Sequence, residues 1–500
     1  MTDAAALDIL LHEALDRLRK DPRVRYAEVR FTNETTELVR VRSTAKPGEK
    51  AARLDHVTTA RSRGVGIRVL GKKAWGFACT PTLTPAAVSA AVDRAAAIAE
   101  ASSAVTKEPV PFPEREGARG TYATPFAIDP FAVPHEDRLA VLDRAVSTLQ
   151  RGGDGARIRS AEAQMEWRRM EKRLLTTEGT DVSQTSTIGA CNMQAVAVAD
   201  DGEAQTRSFP TWHGAHAFQG GYERIAQLDL EGNAPQVQSE AVALLTAPPC
   251  PDGARDLILE SSQVALQVHE SCGHPTELDR ALGTEITLAG GSFLQPGMLG
   301  SYRYGSEHVT LTCDAVTDGG VGTFGWDDEG TPAGTHTLVG EGRFHDYLSS
   351  RDTAARIQRT STGTMRASGW DRIPLIRMTN VSLAAGRGGT LEDLIADTHD
   401  GIYMATDKSW SIDDQRLDFQ FSCELAWEIK HGRRTRLLKN PLYAGTTPLF
   451  WASCDAVCGP SEWKMWGIST CGKGDPMQIL GVGHGAAPAR FKGARIGSGG

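Results

Sequence analysis

Apolar residues recur at helical spacing through Leu7, Leu10, Leu11, Ala14, Leu15 and Leu18, so the chain opens on an amphipathic helix. From Tyr26 the period drops to two. Tyr26 to Phe31 and Glu37 to Arg42 each alternate apolar with polar, which predicts two half-buried strands. In RGVGIRVLGKKAWGFACT, residues 63–80, two strand runs flank Gly71-Lys72-Lys73 and predict a hairpin. The period returns to helical over the Ala-rich stretch 85–102, with Thr84 placed as N-cap and Pro85 at the first helical position.

The segment EPVPFPEREGARGTYATPFAIDPFAVP has the prolines of an extended connector. A helix is expected over 135–150 and several strands over 157–220. Around 235–256 a short helical pattern ends in prolines and glycine and marks a domain boundary. The second half begins with a strand at Asp256 to Glu260. A short helical run follows, then Gly-rich pieces of strand length, with one helix expected over 346–358.

A chain of 500 residues has room for two or three domains and an ample core. Its net charge of −8 offers no electrostatic case for a nucleic-acid surface. Arg168, Arg169 and Arg173 cluster, but acidic residues interleave, as on a solvated face. Asp8, His12, Glu13 and Asp16 interrupt the N-terminal apolar run, which therefore does not read as a secretory signal. No run approaches the roughly 18 apolar residues of a membrane span. Nine scattered cysteines and no export signal lead us to expect reduced thiols in a cytoplasm.

One stretch, QVHESCGHPTELD at 267–279, fits neither a core helix nor a solvated face. His269 and Glu270 are adjacent, and His274 follows five residues after His269. Zinc takes neutral imidazoles, and catalytic sites use three protein ligands and one open position. In the familiar His-Glu-x-x-His pair the histidines are nearly aligned, whereas a five-residue step splays them by about 140° on a regular helix. Two devices correct this: a one-residue π-bulge, or a helix end at Gly273, where glycine tolerates unusual backbone angles. For the third ligand the residues leave Cys272, Glu277, Cys454, Cys458 and Cys471 open. Glu277 is also placed to hydrogen-bond a ligand histidine.

These segments, with GTFGWDDEGTPAGTHTLVGEG, PLIRMTNVSLAAG and the C-terminal GISTCGKGDPMQILGVGHGAAPARFKGARIGSGG, resemble the PmbA/TldD family in its TldD-like, metal-bearing branch. The resemblance spans nearly the whole chain. It implies an α+β fold, with an N-terminal α/β-sheet domain (1–235) carrying a peptide channel and dimer surface, and a β-rich C-terminal metallopeptidase domain (250–500). It implies a cytoplasmic zinc peptidase in which His269, His274 and Cys471 bind Zn2+ and Glu270 is the catalytic base. It further implies an extended or unfolded peptide as substrate, a peptide or natural-product precursor included, and a homodimer or a heterodimer with a TldE/PmbA-like subunit. Two departures bear on substrate choice: Gly-Lys-Gly-Asp-Pro after Cys471, and the crowding of Trp410, Trp451, Trp463 and Trp466.

Two other readings compete: a non-catalytic partner subunit of a protease pair, and a zinc amide hydrolase acting on a small natural product. Gly64, Gly66 and Gly76 suit either a strand edge for an extended peptide or structural turns. Asp327, Asp328 and Glu329 suit a solvated acidic turn, with a peptide amine or second cation as the functional counterpart. His484 reads as an exposed loop histidine or a channel-lining residue.

Overall fold

The computed structural model describes residues 4–44, 52–151, 157–212, 216–287 and 290–499. Its first half comprises α1 (Ala4–Lys20), β1 (Tyr26–Thr44), β2 (Ala52–Leu70), β3 (Trp75–Thr80), α2 (Pro85–Val105), β4 (Arg119–Ala123), α3 (His135–Leu149), β5 (Ile158–Thr176), β6 (Asp181–Val198), β7 (Ala204–Phe209), β8 (Ala217–Gln219) and α4 (Leu230–Leu244). One sheet gathers the strands in the order β3-β2-β1-β5-β6-β4, with β7 and β8 also on β6.

Alternation along β1 sorts the two faces of this sheet. Ala27, Val29, Phe31, Val39 and Val41 are buried under helices: α1 and α2 cover one end, α3 and α4 the other. Glu28, Arg30 and Thr32 point the opposite way, yet are also buried. Arg30 reaches the carbonyl oxygens of Gly369 and Arg372, so this polar face is covered by the second half of the chain.

The expected helices over 85–102 and 135–150 are present, and Thr84 accepts the Ala87 N–H as N-cap. The hairpin turns where Gly71-Lys72-Lys73 predicted it. The two strands expected between Tyr26 and Arg42 are one. Backbone ladders to β2 on one side and β5 on the other carry β1 through the polar run Thr32 to Thr36. The proline-rich connector contributes β4, parallel to β6, and a 3-10 turn at Pro130–Ala132.

The second half contains β9 (Gly253–Leu259), α5 (Ser261–Val268), β10 (Leu311–Asp314), β11 (Thr335–Gly340), β12 (Arg343–Phe344), β13 (Met365–Arg366), β14 (Leu375–Ile376), β15 (Asn380–Leu383), β16 (Asp400–Ile412), β17 (Asp418–Lys430), β18 (Arg433–Leu438), β19 (Pro441–Thr446), β20 (Cys454–Val457), β21 (Lys464–Lys473), β22 (Gln478–Ala486) and β23 (Ala489–Ser498). One sheet runs β12-β11-β10-β15-β22-β21. Another runs β16-β9-β23-β19-β17-β18, and pairing of β16 with β17 closes it on itself. A single apolar core that includes residues of α5 joins them. The fold is thus α+β, as expected.

The helix expected over 346–358 is shorter, Arg351–Arg356, and starts at a Ser350/Thr353 capping box. Leu348 is taken by extended pairing, giving its carbonyl to Leu278 and its N–H to Thr276. That pairing props the segment just beyond His274.

The acidic turn at Asp327, Asp328 and Glu329 is buried, contrary to the solvated reading, and joins the two halves. Lys172 of β5 pairs with Asp328 at 2.5 Å, and Arg68 of β2 with Glu329 at 3.1 Å. Asp327 accepts the N–H groups of Glu329, Thr331 and Met365. Gly64 and Gly66 lie against Trp370, and Gly76 against α2, so these glycines serve close packing. No helix among the described residues is long and apolar enough to cross a membrane.

Candidate metal centre

α5 is capped by Glu260, whose carboxylate accepts the Ser262 N–H, and all eight of its residues are buried. Where it ends, His269–Gly273 form a π-turn, and the His274 N–H donates to the His269 carbonyl five residues back. Of the two devices that could align the histidines, the chain uses the bulge. The imidazole centroids lie 4.8 Å apart. Gly273 is needed for space, since its φ of −65° is ordinary. A Cβ there would lie 2.1 Å from the Met378 Sδ.

Cys471 comes from β21. Along its pairing with β22, Trp466 opposes His484 and Ile468 opposes Val482, whereas Cys471 opposes Leu480. Ser469 and Thr470 therefore face Gly481 alone. This extra residue inverts the alternation and turns Cys471 onto the face that carries Trp466 and His484. On that face α5 lies, and the Trp466 indole N–H meets the Ser261 hydroxyl at 3.2 Å.

The result is a buried trio. One donor atom each from His269, His274 and Cys471 lies within 4.8 Å of the others. His274 Nε2 is 3.8 Å from Cys471 Sγ. Cys272, Cys454 and Cys458 are packed into the apolar core, and burial raises each thiol to about 12.

The surroundings prepare this donor set. Burial, with Arg280 alongside, pushes His274 down to about 4; burial likewise lowers His269. Both rings are thereby kept neutral. Burial alone would raise the Cys471 thiol, but the Arg377 cation leads the groups that override it and hold it below its ordinary value. Arg377 also donates to the Cys471 carbonyl.

Each imidazole is held from behind. His274 Nδ1 lies 3.0 Å from Glu277 Oε2. Burial would raise Glu277, but Lys473 and Arg280 hold its carboxyl well below the usual range. Lys473, in the Gly-Lys-Gly stretch after Cys471, is buried and pairs with Asp279 at 2.8 Å. His269 Nδ1 lies 2.8 Å from His484 Nε2, and His484 Nδ1 lies 2.8 Å from the Val381 carbonyl. His484 is therefore a buried residue of β22, not an exposed loop histidine. The sequence held one signal for this, the flanking glycines: a Cβ at Gly483 would meet Asn380 at 2.1 Å, and one at Gly485 would meet Trp463 at 1.8 Å.

Glu270 Oε1 is 3.9 Å from His269 Nε2, and Glu270 Oε2 pairs with Arg416 at 3.1 Å. Nothing in the sequence singled out Arg416. A cavity of about 220 Å³ opens over the trio, walled by Thr211, Asp407, Trp410, Arg416 and Trp466. Neutral imidazoles, a thiol biased toward thiolate and an adjacent carboxylate can bind a borderline-soft cation and move a proton beside it.

Comparison with known proteins gives two family matches. Residues 252–498 match the PmbA/TldA metallopeptidase C-terminal domain, and residues 27–99 match PmbA/TldA metallopeptidase domain 1. A metalloprotease of Methanocaldococcus jannaschii is 27% identical over 437 residues, covering 87% of this chain and 91% of that protein. A zinc metalloprotease TldD homolog of Saccharolobus solfataricus is 24% identical over 196 residues, 39% of this chain and 42% of its own. Among solved structures, TldE from Thermococcus kodakarensis superposes with a TM-score of 0.70 at 15% identity, covering 98% of this chain and 100% of that one.

Proposed function

The chain belongs to the PmbA/TldD metallopeptidase family, and on that premise we propose that it is a zinc-dependent peptidase acting on extended or unfolded peptides. The observation that carries this reading is the convergence of His269, His274 and Cys471 within 4.8 Å beside the Glu270 carboxylate. Ligands at zinc–nitrogen and zinc–sulfur distances on a tetrahedron sit roughly 3.5 Å apart. The trio's donor atoms lie within 4.8 Å of one another, with Cys471 Sγ and His274 Nε2 at 3.8 Å, and its charge states suit the ion. The name of the Saccharolobus relative supports zinc in particular.

Bound zinc would lower the pKa of a water to about 7 and polarise a scissile carbonyl. Glu270 accepts the proton of the attacking water and returns it to the leaving amine. Arg416 orients Glu270 through its second oxygen. Trp410 and Trp466 give the cavity aromatic walls that suit side chains flanking the cut bond.

We assign 1–235 to a sheet domain that contributes channel and dimer surface, and 250–500 to the metallopeptidase domain. We further propose that the active form is a dimer, of two copies or with a TldE-like subunit; the likeness to TldE supports this. The free cysteines support a cytoplasmic setting.

The test is digestion of an unstructured peptide library by the zinc-loaded chain, alone and with a metal-less relative, read by mass spectrometry. Chelator-sensitive cleavage is expected. Hydrolysis of small amides with peptides untouched would replace this reading by an amide hydrolase. No turnover by the zinc-loaded chain, either alone or with the relative, would make the chain a non-catalytic subunit.

A further inference from the structure

We propose that His484 is a positioning residue that locks His269 in the tautomer bearing its proton on Nδ1, leaving the Nε2 lone pair for the metal. The inference rests on the zinc site proposed above. It follows from the direction of a hydrogen-bond relay. The Val381 carbonyl can only accept, so His484 Nδ1, 2.8 Å away, carries a proton. In a neutral ring the other nitrogen is then an acceptor. His484 Nε2 lies 2.8 Å from His269 Nδ1, so the His269 Nδ1–H is the donor. With its single proton committed there, the His269 ring presents a bare Nε2. That nitrogen is on the side of Glu270.

The fold builds this relay rather than merely permitting it. Val381 lies on β15 and His484 on β22, strands that are neighbours inside the sheet, so the terminal acceptor is fixed by the backbone. The two rings meet edge to face at 88° with centroids 4.8 Å apart, and both are buried. His274 is held by a different device, the Glu277 carboxylate. Arg280 Nη2 lies 3.2 Å from the same His274 Nδ1.

The experiment has two arms. In the metal-free wild-type chain, 15N NMR of labelled imidazoles should show His269 protonated on Nδ1; protonation on Nε2 would overturn the proposal. In chelator competition, His484→Leu should weaken zinc binding by about 10- to 100-fold. His484→Gln, whose amide can accept from His269 and donate to Val381, should recover most of that loss. Wild-type affinity in His484→Leu, or equal loss in both folded variants, would overturn the proposal. Should His484→Leu not fold, the NMR arm and His484→Gln still decide. A wild-type chain that takes up no zinc would sink the peptidase reading, while the NMR arm would still test the relay.

Discussion

Cys471 Sγ lies 3.8 Å from His274 Nε2, although 197 positions separate the two residues. The contact depends on one surplus residue in β21. Without it Cys471 would share a face with Gly467 and point away from α5.

Deleting Thr470 should therefore restore regular pairing and turn Cys471 off the site. We expect zinc stoichiometry, measured by plasma mass spectrometry, to fall sharply while circular dichroism stays native. Thr470→Ala keeps the residue count and should keep the metal. Full zinc in the deletion variant would refute the role of the bulge.

Glu270→Gln removes the base but none of the three donors. Zinc content should match the wild type, while kcat for peptide cleavage falls by about 10²- to 10⁴-fold. Unchanged kcat would remove Glu270 from the chemistry.

Lys473 is buried between Glu277 and Asp279, at 3.4 and 2.8 Å. Lys473→Met leaves two buried carboxylates short of their shared cation. Breaking a buried pair in this way costs about 3–5 kcal/mol, to be read as a lower denaturant midpoint in the metal-free protein. A midpoint within error of wild type would show that Arg280 alone suffices.

At Gly273, alanine would place its Cβ against Met378. Overpacking of this kind costs about 1–3 kcal/mol. Combining Gly273→Ala with Met378→Ala should give a double variant more stable than the sum of the two single losses predicts. Simple additivity would mean that the close approach is relaxed elsewhere.

Local signals in the chain carried much of this fold. The Thr84 cap, the Gly71-Lys72-Lys73 turn and the splay of His269 against His274 are all short-range chemistry. The last of these demanded a correction, which the π-turn supplies. What escaped the sequence depends on distant partners. The turn at Asp328 and Glu329 reads as solvated until Lys172 and Arg68 arrive from 156 and 261 positions away. The inversion at Ser469-Thr470 is a property of two strands in register, and neither strand carries it alone. His484 looked idle because its partner, Val381, offers only a backbone carbonyl. The third donor was left open by residue type, since five candidates met the chemistry; among the described residues it is Cys471 whose donor atom groups with those of both rings within 4.8 Å.

The central claim is a single zinc ion held by His269, His274 and Cys471, and X-ray anomalous scattering at the zinc edge tests it most directly. The account predicts one strong peak within bonding distance of both Nε2 atoms and the Cys471 sulfur. No peak there in zinc-loaded crystals, or a peak that leaves Cys471 out, would contradict it.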